Sequence, residues 1–207
     1  MPDRYNSYRE LIQHEREGED YQVIVVPRPN PIAILALHGG GIEPGTSEIA
    51  QALAGERYSL YLFEVLKITG GEDLHITSAR FDEPRGLALV RSSQCILSLH
   101  GCAGDHPLVY LGGLDREHIH MARQELKAAG FEASAQNHRF SASAPANLCN
   151  QGRSGKGLQL ELTKNLRLTF FRDLEHRSGR QQTTQYFSAF VVALQQIVSK
   201  IEVAINE

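Results

Sequence analysis

The sequence predicts an α/β fold, in which one domain contains a mixed, mostly parallel sheet flanked by helices. Short apolar segments rich in branched residues alternate along the chain with amphipathic stretches, as in layered α/β proteins. The 207 residues suffice for one domain with a sizeable hydrophobic core. Hydrophobic residues make up 42% and charged residues 22%, which is ordinary for a globular domain. We therefore expect residues 1–207 to form a single domain.

The first half of the chain carries three predicted strands and a helix. The apolar runs at 22–26 and 32–37 are separated by prolines and predict buried strands. A glycine-rich turn follows, and SEIAQALAG predicts a short helix that ends at Gly55. Residues 58–64 alternate in polarity and predict a third strand.

The second half continues this alternation of strands and helices. A loop rich in Ser, Ala, Asn and Gly interrupts it before the last strand. In chain order, we predict a helix at 84–92, strands at 94–99 and 108–113, a helix at 115–129, the loop at 136–157, a strand at 157–163 and a helix at about 184–204.

Charge and cysteine content exclude several classes of protein. The net charge of −3 argues against non-specific binding to nucleic acid. We find no stretch long and apolar enough to span a membrane, and the polar, charged start of the chain does not resemble a secretory signal. Cys95, Cys102 and Cys149 form no CxxC pair, which favours free thiols and synthesis in the cytoplasm.

Two predicted strands end in histidine, which indicates a metal site. His38 and His100 each close an apolar strand and each precede a glycine, and ligand sites of α/β sheets gather beyond the carboxyl ends of strands. Glu43 lies five residues after His38, across a glycine-rich turn that can fold it back. Two imidazoles and one carboxylate are a typical catalytic zinc set with a fourth position for water. The pattern favours one Zn²⁺ per chain.

Glu161, in the predicted strand at 157–163, is the candidate general base, since it can face a cleft while its leucine neighbours face the core. Several alternatives stay open at this point. The histidines can be hydrogen-bonded structural residues, Glu161 can face solvent, Glu48 competes with Glu43 as ligand, and Cys102 is a possible fourth ligand. The lipase elbow GxSxG and the zincin motif HExxH are both absent.

Four segments, taken in order, carry a family resemblance. They are HGGGIEPGTSE at 38–48, LHITS followed by FDEP within 74–84, SLHG at 98–101 and GLQLEL at 157–162. Together they resemble the phage-type poly-γ-glutamate hydrolases, and the resemblance covers roughly residues 20–200.

The resemblance implies a zinc-carboxypeptidase-like fold and endo-type hydrolysis of γ-glutamyl amide bonds. It also implies a zinc ion held by His38, Glu43 and His100, with Glu161 as general base. Related enzymes separate the first histidine and glutamate by three positions rather than five, which keeps Glu48 as the competing ligand.

A polyanionic substrate needs cations in its groove, because every unit of poly-γ-glutamate carries a free α-carboxylate. Arginine is suited to this task because its planar fork grips a carboxylate at two points. Arg153 is the first candidate, since its loop leads into the strand of Glu161. The further candidates for substrate binding are Arg80, Arg85, Arg167, His75, Asn147 and Asn150.

Two other functions remain compatible with the sequence. One is a small-molecule N-acyl-glutamate or N-acyl-aspartate deacylase, or a γ-glutamyl peptidase, that uses the same zinc site. The other is a non-catalytic module that binds zinc or a polyanion. For the main hypothesis we expect a monomer with no nucleic-acid or membrane partner. Such an enzyme is made in the cytoplasm without a signal peptide and acts on capsule polymer outside the cell after release by lysis.

Overall fold

A seven-stranded sheet runs through the centre of the molecule in a computed structural model, which describes residues 3–135 and 139–207. Its strands are β1 (Tyr21–Val26), β2 (Ile32–Gly40), β3 (Ser59–Val65), β4 (Cys95–Cys102), β5 (Val109–Gly112), β6 (Ala133–Ser134) and β7 (Leu158–Thr163). They lie in the order β1-β3-β2-β4-β7-β5-β6. β1 and β5 run antiparallel to their partners β3 and β7, and the remaining pairs are parallel. The predicted mixed, mostly parallel sheet is confirmed.

Helices cover both faces of this sheet. They are α1 (Tyr8–Leu11), α2 (Thr46–Ala54), α3 (Pro84–Ser92), α4 (Arg116–Ala128), α5 (Lys164–Phe170), α6 (Arg177–Arg180) and α7 (Gln185–Asn206), with short 3₁₀ helices at Gly71–Leu74 and Leu148–Asn150. Every predicted strand and helix is present within a few residues of its expected bounds. The elements that the sequence did not predict are short ones, such as α1, α6 and β6, which are too brief to show a period.

The core consists of two apolar layers, one on each face of the sheet. Ile34 of β2 lies in the layer formed with α2, α4, α5 and α7, and its neighbour Leu35 lies in the layer under α1 and α3. Both side chains are fully buried, and each such side chain contributes about 1.5–3 kcal/mol. Residues 58–64 do form a strand, but all of β3 is buried because both its faces are covered, so its sequence alternation marks no solvent face.

The last helix, α7, contradicts the expectation that no segment is long and apolar enough to span a membrane. α7 has 22 residues and a mean hydropathy of 1.5 in its most apolar window, so by length and composition it is able to span a membrane. In this fold Phe190, Leu194 and Ile197 of α7 are fully buried in the core. One face of α7 thus belongs to the core, where it packs against α2, α4 and α5, and 39% of its most apolar window is buried.

Candidate active site

Three adjacent parallel strands bring the predicted residues to one edge of the sheet. His38 lies near the end of β2, His100 near the end of β4, and Glu161 in β7, where it is the register partner of His100. Glu43 folds back because its backbone N–H donates to the His38 carbonyl at 2.8 Å. Gly40 allows this turn with a φ of +68°, and its Cβ position lies 2.2 Å from the Val65 carbonyl, so no larger residue fits there.

The ligand atoms of His38, Glu43 and His100 form a compact triangle. Nδ1 of His38 lies 3.0 Å from Oε1 of Glu43 and 3.1 Å from Nδ1 of His100. Nδ1 of His100 lies 3.6 Å from Oε2 of Glu43. Ligands at about 2.0–2.1 Å from a tetrahedral zinc ion stand about 3.3 Å apart. The three side chains therefore converge at separations close to those of a zinc site, with a different oxygen of Glu43 nearest each imidazole.

Hydrogen bonds on the outer side of the rings support the same interpretation. Nε2 of His38 bonds to the Ile76 carbonyl at 2.9 Å, and a carbonyl only accepts, so this nitrogen carries the proton. In the neutral ring, the lone pair on Nδ1 then faces the carboxylate of Glu43. Nε2 of His100 is similarly held by the Ser98 hydroxyl at 2.9 Å. Metal-binding histidines are typically oriented in this way by a partner on the far nitrogen.

The electrostatics of the triangle favour positive charge at its centre. Burial disfavours the charged form of His38, but the Glu43 carboxylate outweighs it and raises the pKa of the imidazole. Burial also opposes ionisation of Glu43, but His38 and His100 lower the pKa of this carboxyl well below its usual range. The carboxylate of Glu43 is thus ionised at neutral pH. It stabilises positive charge beside it, either on a protonated His38 ring or on a metal ion.

His75 lies next to this triangle. Ligand atoms of His38, Glu43 and His75 all fall within 4.8 Å of one another, so His75 competes with His100 as the third ligand. The ring of His75 is in fact closer to that of His38, with centroids 4.1 Å apart against 4.9 Å for His100, whereas Nδ1 of His100 approaches Nδ1 of His38 to 3.1 Å. Nδ1 of His75 is 2.7 Å from a carboxylate oxygen of Asp3, and burial together with the nearby His38 lowers the pKa of the ring. His75 therefore lines the cleft as a neutral imidazole with Nε2 as an acceptor.

Glu161 faces the same cleft. Its side chain is nearly buried, and Oε1 accepts a hydrogen bond from the Gln159 amide at 3.0 Å. Burial raises the pKa of Glu161 to about 7; His100 opposes this rise and Glu43 adds to it. A carboxyl with this pKa can both take up and release a proton near neutral pH.

The two competing ligands lie in unsuitable environments. Glu48, in α2, is bound by Arg180 at 2.7 Å and does not line the cleft. Cys102 does line it, but burial raises the pKa of its thiol to about 12, so the sulfur stays protonated. Zinc binds the thiolate form, so coordination by Cys102 would first have to overcome the cost that burial adds to deprotonation of the thiol.

The structure brings none of the four predicted arginines to the cleft surface. Arg153 lies at the opposite end of the sheet, where its backbone N–H bonds to the Ser93 carbonyl just before β4 begins. Arg85 is paired with Glu17 and Glu83 at the start of α3, and Arg80 is paired with Asp3 at the rim.

Arg167 is buried beneath the site rather than exposed in it. Its guanidinium donates to the backbone carbonyls of Leu162 at 3.2 Å, Pro44 at 2.7 Å and Cys102 at 3.2 Å. It therefore ties together the three segments that carry Glu161, Glu43 and His100. The Cβ position of Gly101 lies only 2.7 Å from the guanidinium carbon, so glycine is required there.

The two predicted asparagines have different environments. Asn147 lines the cleft and donates to Gln159 at 3.1 Å. Asn150 does not line the cleft, because its side chain bonds to four backbone groups and so fixes the loop: Leu114 N, Gly157 N, Ala142 O and Ala144 O.

Sequence analysis missed several residues of the cleft, among them Arg4, Arg139 and Gln159. The cleft has a volume of about 820 Å³, and Arg4 and Arg139 are its arginines. Arg4 is paired with Asp73 at 2.7 Å, whereas Arg139 has no carboxylate within ion-pair distance among the described residues. Both arginines lie in irregular segments that show no period. Gln159 was detectable, because it precedes Glu161 by two residues and so faces the same side of the strand.

Comparison with known proteins agrees with this geometry. A bacteriophage poly-γ-glutamate hydrolase superimposes with a TM-score of 0.92 at 33% identity, covering 97% of this chain and 98% of that one. A zinc-free YndL structure superimposes with a TM-score of 0.91 at 34% identity, covering 96% and 98%. The N-formylglutamate amidohydrolase of Ralstonia eutropha JMP134 shares the fold, with a TM-score of 0.56 at 11% identity over 90% of this chain and 98% of that one.

The family model described as poly-γ-glutamate hydrolase matches residues 5–193, nearly the whole chain. This match, together with the two close structural relatives, assigns the chain to a family of hydrolases. The chain belongs to the poly-γ-glutamate hydrolase family.

Proposed function

We propose that this protein cleaves γ-glutamyl amide bonds within poly-γ-glutamate, using one zinc ion held by His38, Glu43 and His100 and using Glu161 as general base. The observation that carries the proposal is the convergence of His38, Glu43 and His100, with contacts of 3.0, 3.1 and 3.6 Å among their imidazole nitrogens and carboxylate oxygens, beside the buried carboxyl of Glu161, whose pKa is raised by burial. The zinc-free state named for the YndL structure supports zinc as the metal. Zinc at the triangle would supply Lewis-acid polarisation of the scissile carbonyl and of the attacking water.

The protein residues carry the proton through the reaction. Glu161 takes a proton from the attacking water and later donates it to the leaving nitrogen as the C–N bond breaks. His75 suits substrate binding rather than stabilisation of the oxyanion. Its Nδ1–H is engaged by Asp3, so its neutral Nε2 can only accept, for instance from an amide N–H of the polymer.

The α-carboxylates of the polymer require a cation that is not already neutralised, and Arg139 meets this condition. The 139–144 segment is anchored by the hydrogen bond from Gly113 N–H to the Ser141 carbonyl at 2.8 Å, and its backbone approaches Gly112 so closely that a Cβ there would lie 2.4 Å from the Phe140 carbonyl. Arg139 lines the cleft next to this anchor, with its guanidinium 4.9 Å from the centre of the Phe140 ring. We assign it to the grip on a substrate carboxylate, in place of the arginines predicted from sequence.

The test is to follow the chain length of purified poly-γ-glutamate with zinc-loaded protein, with a chelator, and after zinc is restored. We expect rapid shortening of long chains, as internal cleavage requires, that stops with chelator and returns with zinc. Release of single glutamates without shortening would replace the endo-type mechanism by an exo-type one. If short N-acyl-glutamates are turned over and the polymer is not, the small-molecule deacylase replaces this proposal.

A substitution at Glu161 separates an enzyme from a binding module. Glu161→Gln keeps the size of the side chain and removes the base, so we expect turnover to be lost while one equivalent of zinc remains bound. The matched control is Glu48→Gln, since Glu48 is bound to Arg180 away from the cleft. We further propose that the protein acts as a monomer on polymer outside the cell.

A further inference from the structure

A buried hydrogen-bond relay leads to Glu161 along one wall of the cleft. Asn147 Nδ2 donates to Gln159 Oε1 at 3.1 Å, and Gln159 Nε2 donates to Glu161 Oε1 at 3.0 Å. The three side chains are 8%, 4% and 9% exposed. Gln159 is further fixed by its backbone, which lies in β7 between β4 and β5.

The direction of this relay follows from its first member. The backbone N–H of Cys149 donates to Asn147 at 3.1 Å, and because an N–H only donates, the accepting atom of Asn147 is its oxygen. The amide nitrogen of Asn147 then faces Gln159, so the Gln159 atom that meets it is the oxygen. The nitrogen of Gln159 consequently faces Glu161. One backbone N–H thus fixes the orientation of both side-chain amides. The oxygen and nitrogen of such an amide are otherwise assigned only by inference from its neighbours.

We propose that Asn147 and Gln159 are positioning residues that keep Oε1 of Glu161 an acceptor, so that Oε2 is the oxygen that exchanges protons. This inference rests on the proposed role of Glu161 as base. An oxygen that already accepts an N–H is the poorer site for a proton. In the attack, a water O–H bond breaks and an O–H bond forms at Oε2, while the water oxygen bonds to the carbonyl carbon and the C=O π pair moves onto the carbonyl oxygen. In the collapse, that pair re-forms the C=O bond as the C–N bond breaks, and the proton on Oε2 passes to the leaving amine as a new N–H bond.

A substitution that reverses the donor-to-acceptor direction of these two hydrogen bonds, without a change in side-chain size, should therefore stop catalysis. In Asn147→Asp, both oxygens at position 147 accept, so the Gln159 amide turns its nitrogen toward them. Its oxygen then faces Oε1 of Glu161, and two acceptors at this distance need a proton between them. That proton keeps Glu161 from acting as a base, while the ligand triangle and the α-carboxylate subsite remain unchanged.

The experiment compares Asn147→Asp and Gln159→Met with the wild type, each loaded with zinc and assayed on poly-γ-glutamate. Gln151→Glu is the matched control, since it makes the same amide-to-acid change on the same loop, and among the described residues the side chain of Gln151 bonds to the Ala146 carbonyl and not to the relay. We expect kcat to fall roughly 10- to 100-fold in both relay variants with KM and zinc content unchanged. The control should match the wild type.

Several outcomes would overturn the relay while the proposed function stands. The first is a folded, zinc-loaded Asn147→Asp or Gln159→Met with wild-type kcat, in a preparation whose Glu161→Gln variant is inactive. The second is a loss confined to KM, which would make Gln159 a substrate contact. If neither variant folds, NMR of the wild type can test the relay by measuring how fast the side-chain amide protons of Gln159 exchange with solvent. Protection from exchange supports the relay, and fast exchange refutes it. Inactive wild type would instead refute the proposed function itself.

Discussion

Arg167 offers the sharpest contrast between the prediction from sequence and the role that the structure indicates. The sequence analysis placed it among the residues that bind substrate, whereas the guanidinium is 5% exposed and bound to three backbone carbonyls. We therefore expect Arg167→Lys to reduce stability and not substrate affinity. A lysine retains the charge, but a single ammonium group does not reach carbonyls of Pro44, Cys102 and Leu162 that lie in three directions.

The expected magnitude follows from the bonds that are lost. Each hydrogen bond from a charged donor contributes about 1.5–3 kcal/mol, and relief of the desolvation of the guanidinium offsets part of the sum. Breaking a buried charged interaction typically costs about 3–5 kcal/mol, which we take as the range here. At about 2–4 °C per kcal/mol for a domain of 150–250 residues, Tm should fall by about 6–20 °C.

The assay is thermal unfolding of zinc-loaded Arg167→Lys, followed by steady-state kinetics at a temperature well below its Tm. Arg153→Lys is the control, because Arg153 is exposed at the far end of the sheet and should leave Tm and KM unchanged. An Arg167→Lys variant with wild-type Tm and a raised KM would refute this reasoning, since the guanidinium would then be holding substrate.

Three further predictions concern the ligands, the substrate and the base. Glu43→Gln should lose zinc while Glu48→Gln retains it, as measured by metal content after dialysis; the reverse result would exchange the two ligands. Arg139→Ala should raise KM for the polymer, most strongly at low salt, whereas Arg153→Ala should not; equal effects would mean that neither contacts substrate. Burial raises the pKa of Glu161, so kcat should fall as the pH drops through that pKa, since a base is protonated below its pKa; a bound zinc ion would bring this pKa below the value of about 7 that the carboxyl has without metal. A kcat that shows no fall toward acid pH in protein that retains its zinc would contradict this assignment.

The convergence of His38 and His100 was largely predictable because strand ends are predictable. Apolar runs located β2 and β4, and the rule that parallel strands deliver their last residues to one edge then placed His38 beside His100. The choice between Glu43 and Glu48 was not predictable in this way. It depends on a tight turn after Gly40 and on the distant Arg180, which holds Glu48 away from the site.

The error over Arg153 has a geometric cause. Its loop does lead into the strand of Glu161, but it enters at the amino end of β7, whereas the cleft lies beyond the carboxyl ends of the central strands. A strand of six residues spans about 20 Å, so the two ends of β7 cannot share a site. Adjacency in sequence was therefore the wrong criterion, and the direction of the strand was the right one.

The acidic residues of the cleft are compatible with a polyanionic substrate once their partners are considered. Asp73 is neutralised by Arg4, and Asp3 is bound by Arg80 and His75, which leaves Glu72 as a cleft carboxylate without an ion pair among the described residues. Glu43 would be neutralised by the metal ion that we propose it holds. Arg139 also lines the cleft and has no carboxylate partner among the described residues. Local pairing, rather than the net charge of −3, thus determines where a string of carboxylates can lie.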